Sequence, residues 1–225
     1  MKHIKLFESF NEIDSICRKF SITNWTLNED GTVDVNGDVD ITKKELVRLP
    51  IKFRKVSGDF YCKWNKLTTL EGGPMEVGGN FYCSGNNLVN LEGSPIYVGG
   101  VFDCSANKLS TLKGAPIEVG GAFVCFDNEL NSLEFSPIRV GGNFICRCNN
   151  LISLEGAPRE VGGDFDCAGN PISTVYRLFP NYKSYIDSLD YNYIRGTNIV
   201  KSRLKEALEE LNRELPRRIF GYKYI

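Results

Sequence analysis

Hydrophobic residues along this chain return at one fixed step of 21 residues. Phe60, Phe81, Phe102, Phe123, Phe144 and Phe165 are each followed two positions later by a cysteine, from Cys62 to Cys167. Leu67, Leu88, Leu109, Leu130 and Leu151 keep the same step, as do Leu70, Leu91, Leu112, Leu133 and Leu154 and a valine column from Val77 to Val161. Residues two apart on a strand share a face, so each Phe and its Cys are expected to point inward together. A period this long fits repeat units that stack as coils of a solenoid, because one coil cannot bury its apolar face alone. Parallel strands are predicted near residues 40, 61, 82, 103, 124, 145 and 166. The first belongs to a divergent coil in which Ile41 replaces Cys and Lys44 replaces Asn.

Polar positions are equally regular. Asn65, Asn86, Asn107, Asn128, Asn149 and Asn170 stand three residues after each Cys, and a Gly-Gly pair such as Gly78-Gly79 precedes the last five strands, with Asn36-Gly37 and Ser57-Gly58 before the first two. The unit G-G-x-F-x-C-x-x-N-x-L-x-x-L-x-G-x-P-x-x-V resembles the leucine-rich repeat, whose core is L-x-x-L-x-L-x-x-N-x-L. The resemblance covers about residues 37–175. It implies an α/β leucine-rich-repeat solenoid with a parallel β-sheet on the concave face and Asn side chains bonding backbone groups of neighbouring coils. Phe and Cys stand where that family usually carries aliphatic residues. Coils of 21 residues leave little room for a convex helix, so the return side, carrying Pro74 and its equivalents, is expected to be extended or irregular. The Gly-Gly pairs are read as tight corners.

Both ends break the pattern, as the open ends of a repeat array require cover. Residues 1–36 are read as an N-terminal cap, with a helix over 12–20 and a hairpin around Asn28-Glu29-Asp30-Gly31. Residues 37–175 form the solenoid of seven coils, and 176–225 a helical, tyrosine-rich C-terminal cap. In that last segment Val200, Leu204, Ala207, Leu208, Leu211 and Leu215 form an apolar stripe on a helix predicted to end before Pro216. Its tyrosines give it a second reading as a contact region, since Tyr is favoured at binding hot spots.

Charge and cysteine usage exclude several functions. With 27 Lys plus Arg against 28 Asp plus Glu, a net charge of -1 gives no general attraction to nucleic acid or to an anionic membrane. No apolar run approaches the roughly 20 residues of a membrane span, and the start MKHIKLFESFNE lacks the apolar core of a secretory signal. A cytoplasmic location is expected, with virion association as the alternative. Six of the eight cysteines occupy one repeated column, which reads as buried reduced thiols rather than a disulfide framework. Cys148 lies off that column and is expected to be exposed. The single histidine, His3, leaves zinc without a ligand set. No GxSxG, HExxH or phosphate loop occurs, and Asp164 and Asp166 read as a solvated strand face. No enzyme, cofactor or metal is expected.

The informative positions are those that vary within the fixed frame. Tyr61, Tyr82, Val101, Val124, Phe126 and Ile145 are expected to face outward as an apolar and aromatic band, where a merely solvated sheet would be polar. Lys63 and Arg147 flank the band, Asp103 is expected on the same face, and Asp164 and Asp166 give it an acidic end. Ser84 and Ser105 are expected on the same face. These eleven non-serine positions are the candidate protein-binding site; cover by a cap or by self-association is the alternative.

The segments NEDGTVDVNGDVDI and LPIKF, with the repeated LEGxPxxVGGxFxC, resemble repeat proteins of tailed bacteriophages. The start MKHIKLFESF is similar to phage N-termini, some of which are cut after Leu-x-Glu, as Leu6-Phe7-Glu8 would allow. This resemblance implies a non-enzymatic interaction module that binds and modulates or inhibits a protein of the bacterial host, such as an antiviral-defence protein. The alternative it leaves is a structural or accessory component of a phage particle.

Overall fold

The computed structural model describes residues 2–179, 184–185, 187, 194–195, 198–219 and 222–225. Tyr182, Tyr191 and Tyr193 of the tyrosine-rich segment lie outside the described residues, as do the side chains of His3, Leu6, Phe7 and Glu8. The repeat builds a parallel β-solenoid of coils about 21 residues long. Seven two-residue strands, from Val39–Asp40 and Phe60–Tyr61 through to Phe165–Asp166, pair parallel in sequence order. Their register matches like with like, Phe60 on Phe81 and Phe123 on Phe144. We call this the phenylalanine sheet.

A second sheet was not foreseen. The return side, expected to be irregular, carries its own parallel strands, among them Phe53–Val56, Glu76–Val77, Tyr97–Val98, Glu118–Val119, Arg139–Val140 and Glu160–Val161. Each strand has only two residues in most coils and buries one valine, too short for alternation to show. What makes these strands is the step itself, which brings the same residue of successive coils into register.

Every ring of the phenylalanine column from Phe60 to Phe144 is fully buried. From Phe60 to Phe165 the rings stack 5.2–5.4 Å apart, with interplanar angles of 3–9°. Burying each such side chain contributes about 2–3 kcal/mol before entropy is counted. The column cysteines are buried beside them, and burial pushes the Cys167 thiol up to about 12. All eight cysteines are unpaired, and Cys148 is the exposed one.

Polar groups in the turn are satisfied by the asparagine column. Asn86 Nδ2 donates to the carbonyls of Cys62 and Cys83 at 3.1 and 3.0 Å, while its Oδ1 accepts from Leu67 N–H at 3.0 Å. Asn65, Asn107, Asn128, Asn149 and Asn170 repeat the arrangement. At the divergent first coil, where Lys44 takes the Asn position, Asn65 Oδ1 accepts the regular bond from Leu46 N–H at 3.1 Å and a further one from Lys44 N–H at 2.8 Å.

The Gly-Gly corners have a cause other than the one expected. Gly78, Gly79, Gly99 and Gly100 do not have positive φ. A Cβ on Gly99 would instead overlap the carbonyl oxygen of Gly78, and one on Gly120 that of Gly99. Close approach of successive backbones, not an unusual turn, requires glycine there. Positive φ belongs to the later corner, where Gly72, Gly93, Gly114 and Gly156 lie at 80–89°.

At the N-terminal end the helix spans Lys2–Lys19, longer than the 12–20 expected. Cys17, Phe20 and Ile22 are buried against the core. Strands Trp25–Leu27 and Val33–Val35 form an antiparallel hairpin, and the second of these extends the return-side sheet by pairing parallel with Phe53–Val56. At the other end Ile172, Val175, Phe179, Ile199, Leu204, Ala207 and Leu208 belong to the same core. The helix Lys201–Glu209 stops earlier than its apolar stripe suggested. Asn212 takes φ +53°, and Arg213 N–H bonds back to the Leu208 carbonyl at 2.9 Å, a left-handed C-terminal cap that leaves Leu211 and Leu215 beyond the helix.

Candidate functional site

Outward positions of the phenylalanine sheet inherit its register, so side chains 21 residues apart stand side by side. Tyr61 and Tyr82 consequently stack, with ring centroids 5.1 Å apart and planes 8° from parallel. Lys63 Nζ lies 5.5 and 5.3 Å from the two centroids, within range of a cation–π attraction. The Tyr61 hydroxyl donates to Asp59 Oδ2 at 2.6 Å, and that bond to a carboxylate raises its pKa to about 12. Burial, then the charges of Asp59 and Asp103, push Tyr82 upward as well. Partial burial works to raise Asp59, but hydrogen bonds from Tyr61 and Asn80 outweigh it and hold the carboxyl below its ordinary value. Both phenols are neutral and the carboxylate is charged near neutral pH.

Farther along the stack, the Arg147 guanidinium lies 4.9 Å from the Phe126 ring centroid. Val124 and Ile145 pair beside it in register, and both are half-buried. Between these two groups stands Asp103, whose Oδ1 accepts from Ser105 N–H at 2.9 Å and Ser105 Oγ at 2.6 Å. The candidate band is therefore two aromatic–cation clusters divided by a polar coil, with Val101 half-buried at the boundary. Asp166 closes a local turn onto Ala168 N–H at 3.0 Å, and Asp164 is exposed. Ser84 and Ser105, expected to face solvent, are instead buried at 7% and 4% exposure. These serines follow the cysteines directly, where the chain already turns toward the Asn ladder.

Two features escaped the sequence reading. Asp59, Asn80 and Asn143 are not simply surface residues: each offers a side-chain oxygen to the backbone N–H one coil on, at Asn80, Val101 and Asp164, at 2.7–2.8 Å. The recurrence of Asp or Asn directly after Gly-Gly was the available signal. The second feature is a column of strongly exposed aliphatics, Met75, Ile96, Ile117 and Ile138, at 50–61% exposure. Each follows the repeat proline, a column visible in the sequence. Phe135 adds to it: exposed at 59%, it holds φ +67° at the corner where other coils place glycine. None of the apolar or aromatic residues in the phenylalanine-sheet band is comparably exposed.

Among the described residues no group of three or more His, Cys, Asp or Glu side chains could hold a metal ion, and no helix is long and apolar enough to cross a membrane. No protein-family model matches the chain, and no curated protein and no solved structure matches it.

Proposed function

We propose that this chain is a non-enzymatic protein-binding module of the leucine-rich-repeat kind, which engages another protein through the outward face of its phenylalanine sheet. The observation that carries the reading is the Tyr61–Tyr82 stack with Lys63 above both rings, matched by the Phe126–Arg147 pair. Aromatic rings and cations held on a rigid sheet lose little entropy on contact, and residues of this kind dominate binding energy at interfaces. The partner class we infer is a host protein of a bacteriophage, on the resemblance of the repeat and of the chain's start to phage proteins.

The test is capture from a bacterial lysate by wild-type protein and by a Tyr82→Ala, Phe126→Ala double variant, followed by titration of the captured protein. Loss of at least about 30-fold in affinity in the double variant supports the face, by the usual tenfold per 1.4 kcal/mol. Undiminished binding rejects it. Co-purification with phage particles, without a host protein, would favour the alternative role as a particle component.

A further inference from the structure

The exposed aliphatic column lies on the return side, away from the face discussed above, and has a property that its individual residues do not reveal. Read along the stack, the column is Arg54, Met75, Ile96, Ile117, Ile138, Arg159. The next column, one residue on, is Lys55, Glu76, Tyr97, Glu118, Arg139, Glu160, all exposed except the half-buried Glu118. We propose that a second copy of this chain docks on this face, related by a two-fold axis that runs the two stacks in opposite directions.

The argument is self-complementarity. A two-fold axis passing between the coils of Ile96 and Ile117 sets Ile96 against Ile117 of the second copy and Met75 against its Ile138. The neighbouring column then sets Lys55 opposite Glu160, Glu76 opposite Arg139 and the Tyr97 hydroxyl opposite Glu118, each across the axis and each twice; within one chain Lys55 already pairs with Glu76 at 3.0 Å and Arg139 with Glu160 at 2.7 Å, so the contact joins existing pairs into a network. A sequence of charges that reads as its own complement when reversed is what an isologous contact requires. The same axis places Phe135 opposite Gly72 of the second copy. Gly72 lines a surface groove of about 680 Å³ together with the apolar Val47, Leu49, Pro50 and Ile51 and the charged Arg48, Lys52 and Glu71. A projecting aromatic ring on one coil thus meets a partly apolar recess on the other, in both directions. One pair runs against the arrangement, Arg54 opposite Arg159. Arg54 is already held by two hydrogen bonds to Asp34 in its own chain, which offsets that charge. This contact accounts for Phe135: the strained left-handed backbone directs an aromatic ring outward where its own chain gives it no buried place.

Sedimentation equilibrium of the full chain across a concentration series from about 1 to 100 µM should show a monomer–dimer equilibrium, as mass action dictates. Phe135→Gly and Ile117→Asp, each checked for an unchanged far-ultraviolet spectrum, should each weaken it by about tenfold or more. Glu76→Arg should weaken it as well, and adding Arg139→Glu should restore it. In a Cys148→Ser background, oxidation of mixed Ile96→Cys and Ile117→Cys chains should give a covalent dimer, more readily than either variant alone. A wild-type chain that remains monomeric throughout the series overturns the proposal, as does a dimer indifferent to Ile117→Asp. So does cross-linking of Ile96→Cys chains to one another at the efficiency of the mixed pair. Phe126→Ala should leave the dimer intact, which separates this contact from the phenylalanine-sheet reading.

Discussion

Replacing Asn86 tests whether the asparagine column holds the coils together or merely occupies the turn. Its side chain is 8% exposed, donates to the carbonyls of Cys62 and Cys83, and accepts from the buried Leu67 N–H. Asn86→Ala leaves three backbone groups without that partner. The N–H is the most costly to orphan, at about 1–3 kcal/mol, and each carbonyl with its second lone pair contributes less, so a total loss of about 3–4 kcal/mol is expected. Asn86→Asp separates the two halves of the interaction. A carboxylate still accepts from Leu67 N–H but sets a negative oxygen against two carbonyls. That environment and burial raise the folded-state pKa of the new carboxyl above its unfolded value. The native state then binds more protons than the unfolded state, so stability falls as pH rises through this range and recovers as pH falls. Urea unfolding followed by circular dichroism at pH 7 and near pH 4.5 should show Asn86→Asp strongly destabilised at the first and closer to wild type at the second. Asn86→Ala should show no such recovery. Loss of less than about 1 kcal/mol in Asn86→Ala, or a pH-independent deficit in Asn86→Asp, would refute the reasoning.

Phe123→Ala removes a fully buried ring stacked on both sides and should cost about 3–5 kcal/mol, whereas Phe126→Ala, half-buried on the outer face, should shift the thermal midpoint little. Native protein treated with a thiol reagent should react quickly at one site, Cys148, because the other seven are buried; denaturation should release eight. Fast reaction of a column cysteine such as Cys104 would contradict the packing. In chains kept monomeric by Ile117→Asp, Phe135→Gly should raise stability by about 1 kcal/mol, since glycine takes φ +67° without strain and the ring, exposed in the single chain, contributes little burial. A lowered midpoint would show that the ring packs usefully in its own chain.

The phenylalanine sheet was legible in the sequence because two independent columns, Phe and Cys, mark the same face at the same step. The return-side sheet was not, because a two-residue strand such as Glu118–Val119 shows only one apolar position and no alternation. The outward band was legible as a set of residues, but not as the contacts they form: nothing in the spacing says that Lys63 lies over both tyrosine rings or that Asp103 is occupied by Ser105. Met75, Ile96, Ile117 and Ile138 carry no alternation to mark their face, because each sits beside a proline corner rather than within a strand. Phe135 was visible only as a break in a glycine column, and its backbone angle is what gives the break a meaning.

The ladder bonds carry one more implication. Each joins residues a fixed number of positions apart: Leu67 to Asn86 and Leu130 to Asn149 span 19 residues, Cys62 to Asn86 and Cys125 to Asn149 span 24. Excising one 21-residue unit within the regular coils, or duplicating one, would leave every such offset unchanged across the join. The length of the stack can therefore be altered in whole units without redesign of any ladder bond. Gain or loss of a whole 21-residue unit is thus a change of length that the asparagine ladder tolerates.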